Sequence, residues 1–346
     1  MIEHDPITGE YHIPLDVVNH SMMKTFRRCP KQAQYKYGNQ YLPKVDSKPL
    51  TRGKWFHALL ETHYTGGNWK TTHKQWSYEF AELFDEEKEH LGNLPQEMAD
   101  LFRSYLWHYK NEGEWEVLEV EKTIHATLPN GMKFKGKVDM LVRDRYGLWL
   151  VDHKTHKILP ELIDRLLDTQ SPAYIWACWE NGIDVRGFIW NYIKTKAPSR
   201  PKVLKNGKRF SKTLGETDYY TFAVALKKSG FPVGDYRDTL DYLKSQRYEF
   251  GKLSTSPFFQ RHIIERTDVS VGNAIRELTH TAMRMRDYNF NPEMTERVPD
   301  RSCKWMCSYR DLCVAELHGN KTNLIMRNYR EGDPLEYYDD NPRDPE

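Results

Sequence analysis

No long hydrophobic run interrupts this chain. Nowhere in its 346 residues do about 20 apolar residues follow one another, which excludes a membrane-spanning helix. Charge of one sign is also missing. Lys and Arg number 51 against 49 Asp and Glu, a formal net charge of +2, so overall charge names no partner and only its distribution can. Cysteine is scarce and odd in number, five residues in all, which argues against a disulfide framework. The opening residues, Met1-Ile-Glu-His-Asp-Pro6, have neither the basic region nor the apolar core of a secretion signal, and a cytoplasmic chain is the expectation. No internal repeat is visible.

What is present describes a folded chain. At 39% hydrophobic, 29% charged and 13% aromatic it reads as globular, long enough for one large domain or two ordinary ones. After a short strand-like opening, Ser21 would cap a helix that Pro30, or the residues just before it, would end; Lys31–Tyr37 adds a helical turn. Residues 51–65 and 75–112 are expected to be helical, the first with Phe56, Leu59, Leu60 and His63 near one side. A β-rich centre follows at Trp115–Val120, Lys133–Val142 and Leu148–Val151. Leu159–Trp179 reads as a helix that Pro172 should bend or divide. Val185–Ile193 and Tyr219–Ala225 read as strands, 235–250 and 265–288 as helices. The final thirty residues, rich in Asp, Glu, Pro, Asn and Tyr, read as a tail or a poorly ordered wrap. Helix, sheet and helix in this order give an α/β class with a mixed central sheet flanked by helices.

The densest chemistry lies in Gly136-Lys-Val-Asp139 and, thirteen positions after that aspartate, Asp152-His-Lys154. Apolar runs at Met140–Val142 and Leu148–Val151 flank the polar stretch Arg143–Gly147, the pattern of a strand–turn–strand hairpin. An antiparallel pair of that length can set Asp139 and Asp152 side by side. Lys154, two residues past Asp152, points from the same face of an extended strand. Two carboxylates and a lysine on one patch are the minimum for holding a divalent cation and handling a water, which makes the patch a candidate for metal-assisted hydrolysis. Asp-x-Lys also arises on solvated, salt-bridged strand faces, so the surrounding sequence has to decide.

Three further features stand around that hairpin. Gly53-x-x-x-His57-x-x-Leu60-Glu61 lies upstream, Gln170-x-x-x-Tyr174 downstream, and Cys29 is joined by Cys303, Cys307 and Cys313. With these the chain resembles the RecB-like branch of the PD-(D/E)XK nucleases, in particular the iron–sulfur exonucleases found among CRISPR adaptation nucleases and phage-encoded relatives. The resemblance runs from residue 29 to residue 313. It departs from the family at two places: the cysteines read C-x3-C-x5-C where relatives commonly have two residues between the first pair, and Val138 stands where the superfamily's proline would precede Asp139.

The resemblance implies a restriction-endonuclease-like core whose N- and C-terminal helical segments are joined at an iron–sulfur cluster. It implies a single domain over residues 1–320, with a helical part at about 51–112, a catalytic core at about 115–225, a cysteine segment at 300–315 and an acidic tail at 321–346. Mg²⁺ or Mn²⁺ would be held by Asp139, Asp152, His57 and the backbone carbonyl of His153, whose side chain would point away from the face shared by Asp152 and Lys154. Glu121, on the preceding strand, is placed for a second metal or an outer-sphere water. Lys154 would position the attacking water and stabilise transition-state charge. Gln170 and Tyr174, four apart on one helix face, would contact the nucleophile side or the DNA backbone. Cys29, Cys303, Cys307 and Cys313 would hold a [4Fe–4S] cluster; zinc is the rival occupant of four thiolates, and Cys178 reads as a core residue. The implied substrate is DNA, preferably single-stranded ends, in phage or mobile-element recombination, replication, repair or CRISPR-related processing. Such a chain would work in the cytoplasm, the host's if phage-encoded, with a recombination, replication or CRISPR protein as partner and no membrane.

One charge block stands out. Lys194, Lys196, Arg200, Lys202, Lys205, Lys208, Arg209 and Lys212 precede the first acid, Glu216. Such a run is commonly a solvated loop. Beside a metal site acting on DNA, Lys194, Lys196, Arg200 and Lys202 are placed to neutralise phosphates, on a flexible flap with Tyr192 or Tyr219 stacking on bases. Two rival functions remain: a catalytically silent RecB-like DNA-binding or structural subunit, and a zinc-stabilised nucleic-acid-binding module. Retention of Asp139, Asp152 and Lys154 weighs against the first, and metal content separates the second.

Overall fold

The sheet is built around the hairpin. In the computed structural model, which describes residues 3–4, 11–12, 16–110, 115–205, 207–211, 214, 216–245, 256–288, 290–291 and 295–336, strands β1 (Glu116–Thr127), β2 (Lys133–Asp144) and β3 (Gly147–His156) form an antiparallel meander. Strand β4 (Val185–Lys194) runs parallel to β3, and β5 (Phe259–Glu265) antiparallel to β4. Val17–Val18 adds a short parallel pairing to the start of β2, so that the described residues give a six-stranded mixed sheet. The tight turn between β2 and β3 has a local cause. Asp144 Oδ1 accepts the backbone N–H groups of Tyr146 and Gly147 at 2.7 and 3.1 Å and the Trp149 indole N–H at 2.9 Å, while Gly147 takes φ +140°.

Helices cover both faces. The helices of seven residues or more among the described residues are α1 (His20–Arg28), α2 (Lys48–Tyr64), α3 (Trp69–Ala81), α4 (Asp85–Leu91), α5 (Leu94–His108), α6 (Gln170–Glu180), α7 (Tyr219–Ser229), α8 (Arg237–Ser245), α9 (Asp268–Tyr288) and α10 (Arg310–Leu317). Along β4, Phe188, Trp190 and Tyr192 join the core under α6 and α9, together with Leu150 and the buried Cys178. The alternate residues Ile189 and Ile193 point the other way, Ile193 into a cluster with Phe56, Leu60, Phe102 and Tyr105 of α2 and α5. This is the mixed α/β architecture expected.

Several boundaries differ from the expectations. Asn19, not Ser21, caps α1, its Oδ1 accepting the Met22 N–H at 2.7 Å. The helical stretch at 75–112 is three helices, α3 to α5, interrupted at residues 82–84 and again at Gly92, φ +63°, with Pro95 in the first turn of α5. Leu159–Trp179 is likewise divided, into Leu162–Leu166 and α6, but Pro172 sits harmlessly in the first turn of α6 and the break precedes it. Tyr219–Ala225 is helix rather than strand: Asp218 accepts the Thr221 N–H at 2.8 Å, and Phe222 and Leu226 bury at helical spacing. Residues 265–288 begin with the end of β5 before α9 starts. Part of the expected tail is docked, since Tyr329–Glu331 pairs antiparallel with Tyr41–Pro43. The end of the helix expected at 235–250, Lys212 and the chain beyond residue 336 lie outside the described residues.

Candidate active site

The site forms where two neighbouring strands part. The ladder between β2 and β3 has its last pair at Met140–Val151. One step further, the Asp139 carboxylate itself takes the His153 backbone N–H, Oδ2 accepting at 2.6 Å. A side chain thus replaces a ladder partner, and the His153 carbonyl turns towards α2. There His57 Nε2 lies 2.9 Å from that carbonyl oxygen, and His57 Nδ1 lies 3.6 Å from Asp139 Oδ1. Helix α2 positions the imidazole because Phe56, Leu59 and Leu60 on either side of it are buried against α5.

Glu121 completes the group. Ligand atoms of His57, Glu121 and Asp139 all lie within 4.8 Å of one another. In the middle of β1 Glu121 takes φ +53°, a left-handed conformation uncommon for a residue with a Cβ, which aims its carboxylate at the gap. Lys137 Nζ stands 3.6 Å from Glu121 Oε2.

The second carboxylate comes from β3. Asp152 is 1% exposed. Gln170 Nε2 at the start of α6 donates to its Oδ1 at 2.7 Å, and Lys154 Nζ forms an ion pair with its Oδ2 at 2.5 Å. Burial raises the Asp152 carboxyl, and with the Asp139 charge it outweighs the Lys154 ammonium, leaving Asp152 at about 7. At Asp139 burial is overcome by the charge and hydrogen bond of His57, and the carboxyl is held well below the usual range. His57 answers in kind: burial opposes its charge, but Asp139 raises it to about 9. Lys154 also stays above its ordinary value, because Asp152 and Asp139 offset its burial.

The structure therefore brings His57, Glu121, Asp139 and the His153 carbonyl together, while Asp152, with Gln170 and Lys154, stands on the adjoining strand outside the group of ligand atoms within 4.8 Å of one another. Tyr174, one turn beyond Gln170, is buried with its ring edge-on to Phe134. Gly136 explains its approach. A Cβ at that position would meet Tyr174 Cε1 at 2.9 Å.

Sequence reasoning missed the layer behind His153. Its ring stacks on Tyr64, centroids 5.9 Å apart and planes 7° apart, and its Nδ1 lies 2.7 Å from Asn191 Nδ2. Asn191 Nδ2 also donates to Tyr105 Oη, and the Arg261 guanidinium donates to Tyr64 and Tyr105 at 3.0 and 3.1 Å. Burial keeps the His153 ring neutral, at about 3. The one signal in the letters was Asn191, a polar residue inside the apolar run Phe188–Ile193; Arg261 lies in a strand as polar as it is apolar and gave none.

Among its described residues, the basic stretch is tied back to the rest of the molecule. Val203 and Phe210 form an antiparallel bridge, and Phe210 is buried with its N–H donated to Tyr236 Oη at 2.8 Å. Lys194 and Lys196 both pair with Glu216, while Arg200 and Lys202 are exposed. Tyr192 is buried and stacked on Trp190, which withdraws it from base stacking; Tyr219 packs edge-on to Tyr220.

Cysteine occurs on both segments that pack together through Lys31, Tyr35 and Glu316. Cys29 follows α1, Cys303 and Cys307 precede α10, and Cys313 lies on it; all four are free and half-buried. Burial, with the charges of Cys303 and Cys29, raises the Cys307 thiol. Arg297 Nε donates to Cys313 Sγ at 3.3 Å.

A comparison with curated proteins gives no match. Among solved structures, a candidate exonuclease from Eubacterium rectale is 14% identical with a TM-score of 0.45, covering 88% of this chain and 93% of its own. A second, SSO0001, is 12% identical with a TM-score of 0.33, covering 86% of each. A family model described as the PD-(D/E)XK nuclease superfamily matches residues 17–314, which include the parted strands, both aspartates and the lysine. By that match over most of its length, the chain belongs to the PD-(D/E)XK nuclease superfamily.

Proposed function

We propose that this chain is a divalent-metal-dependent DNA exonuclease of the RecB-like iron–sulfur kind, acting by preference on single-stranded ends. The observation that carries this reading is the convergence of His57, Glu121 and Asp139 within 4.8 Å, with Asp152 and Lys154 on the adjoining strand. The donor set fits a hard cation. Three carboxylates, one carbonyl and one imidazole suit Mg²⁺ or Mn²⁺, and apart from its ion pair with Lys154 the buried Asp152 Oδ2 has no hydrogen-bond partner. His57, Asp139, Asp152 and the His153 carbonyl would hold the ion, with Glu121 beside it. When bound, the ion neutralises phosphate charge and lowers the pKa of a coordinated water. Lys154 holds the attacking water and stabilises charge on the phosphorus centre. Gln170 keeps Asp152 in the rotamer that faces the ion. The substrate's phosphates would extend towards Arg200 and Lys202, with Lys194 and Lys196 tempered by Glu216.

Cys29, Cys303, Cys307 and Cys313 we assign to a [4Fe–4S] cluster that ties the segment after α1 to α10. Four free, half-buried thiols, two of them acting on a third, suit it. Absorbance near ~400 nm in freshly purified protein supports the cluster, whereas a colourless protein with four-coordinate zinc overturns it.

The function is tested by digesting end-labelled single- and double-stranded DNA with Mg²⁺ or Mn²⁺. Wild type is expected to shorten labelled strands and Asp152→Ala and Lys154→Ala to lose at least about 100-fold in rate. Equal digestion by all three would end the proposal, as would no digestion by wild type.

A further inference from the structure

A row of polar side chains crosses three strands and ends at the candidate site. Register pairs Arg261 of β5 with Asn191 of β4, and Asn191 with His153 of β3; all three side chains are buried. The rows on either side of it are apolar, Val151 beside Ile189 and Ile193 beside Phe259. Placing a guanidinium and an imidazole between them costs stability that apolar residues of similar volume would not.

The hydrogen bonds along the row run one way. A guanidinium can only donate, so Arg261 Nε, 3.4 Å from Asn191 Oδ1, sets which way the amide faces. Asn191 Nδ2 then donates to Tyr105 Oη at 2.9 Å and to His153 Nδ1 at 2.7 Å. A ring that accepts on Nδ1 keeps its proton on Nε2, and that atom is buried with no hydrogen-bond partner among the described residues. Arg261 is seated between rings, 3.7 Å from the centre of Tyr109 and 4.2 Å from that of Trp115, and it also donates to Tyr64 and Tyr105.

What the row reaches is a backbone. The His153 N–H goes to Asp139 Oδ2 and its carbonyl oxygen lies 2.9 Å from His57 Nε2, past the point where the β2–β3 ladder has stopped. On that side no strand pairing sets the direction of the carbonyl. The ring does so instead, held by Asn191 at its edge and by Tyr64, of the same helix as His57, on its face.

We propose that Asn191 and Arg261 are positioning residues for the divalent cation: through the His153 ring they hold the His153 carbonyl in the direction in which it would ligate the ion. This rests on the metal-dependent reading above and deepens it, because it extends the site to two strands that supply none of its ligands. Partners behind a ligand commonly govern metal affinity in this way.

The test is metal binding, so it does not depend on cleavage. Mn²⁺ dissociation constants are measured by electron paramagnetic resonance for the full chain, His153→Phe, Asn191→Leu, their double variant and Arg261→Lys, with urea unfolding of each. His153→Phe keeps a ring to stack on Tyr64 and removes the unpaired Nε2–H, so its unfolding midpoint should equal or exceed that of wild type. Its Mn²⁺ affinity should nevertheless fall by about 10–100-fold. Asn191→Leu should match it, and the double variant should fall no further, because both act through one contact. Arg261→Lys keeps the charge but not the fork, and should lie between Asn191→Leu and wild type. Unchanged Mn²⁺ affinity in any of the three single variants overturns the proposal. So does failure of both His153→Phe and Asn191→Leu to fold, which would give the row a structural role. Wild type that binds Mn²⁺ more tightly than the variants yet cuts no DNA ends the nuclease reading and leaves the row. Equal Mn²⁺ binding throughout, with DNA cut, ends the row and leaves the nuclease.

Discussion

Asp139 and Asp152 are both buried carboxylates, yet their neighbours drive them apart: His57 holds Asp139 ionised, and burial leaves Asp152 at about 7. A cation entering this site competes with the proton on Asp152 below about 7 and with the proton on His57 below about 9. Metal binding therefore releases protons, and affinity must rise with pH across that window. Calorimetry of Mn²⁺ binding in buffers of different ionisation enthalpy is expected to show this; an affinity flat from about pH 6 to 9 would count against the ligand set. Gly136 offers a second residue-scale test. Its substitution by Ala places a methyl 2.9 Å from the Tyr174 ring and 3.3 Å from Ile124 and Phe134, so Gly136→Ala should cost about 1–3 kcal/mol in urea unfolding. The two aspartates and Lys154 were legible because strand alternation and the hairpin turn fix where such residues go. The left-handed backbone at Glu121 was not, since a strained φ leaves no mark in the letters.

At the scale of elements, the geometry of the candidate site is a property of the parting of β2 from β3, where a carboxylate takes over a ladder hydrogen bond, and of α2 and α6 packing on opposite faces of the sheet. Those elements were readable from their periodicity. Tyr219–Ala225 misled because its aromatic and β-branched residues have strand composition, while the Asp218 cap and the burial of Phe222 and Leu226 choose a helix. The basic stretch misled differently. Its charges were visible, but Glu216 folding back on Lys194 and Lys196 and Phe210 anchoring the loop are tertiary facts. A contrast follows. Arg200→Ala should flatten the salt dependence of DNA binding by about one unit, and Lys196→Ala by less because Glu216 pairs with it. Fluorescence anisotropy across a salt series checks this, and a larger effect at Lys196 would show that the loop does not meet DNA as folded here.

Across the whole molecule, residues 31–43 pack against residues 308–331. Lys31 and Tyr35 bond Glu316 of α10, Tyr309 donates to the Tyr41 carbonyl, Tyr329 donates to the Ser308 carbonyl, and Tyr329–Glu331 pairs with Tyr41–Pro43. The four cysteines lie at this seam. Cys307→Ser is accordingly expected to abolish absorbance near ~400 nm and lower the melting temperature, whereas Cys178→Ser, on the buried face of α6, should keep the absorbance. Unchanged absorbance in Cys307→Ser would remove the cluster. The tyrosine contacts that join these segments could not be read from residues so far apart in the chain. No helix of the described residues is long and apolar enough to cross a membrane. All of this serves one claim, that α2, β1, β2 and β3 deliver their donors to a single divalent cation. Electron paramagnetic resonance of a Mn²⁺ titration tests it most directly. Wild type is expected to bind one tightly held ion per chain, and Asp139→Asn and His57→Ala to lose it with their folds intact; Mn²⁺ bound equally by all three proteins would contradict the account.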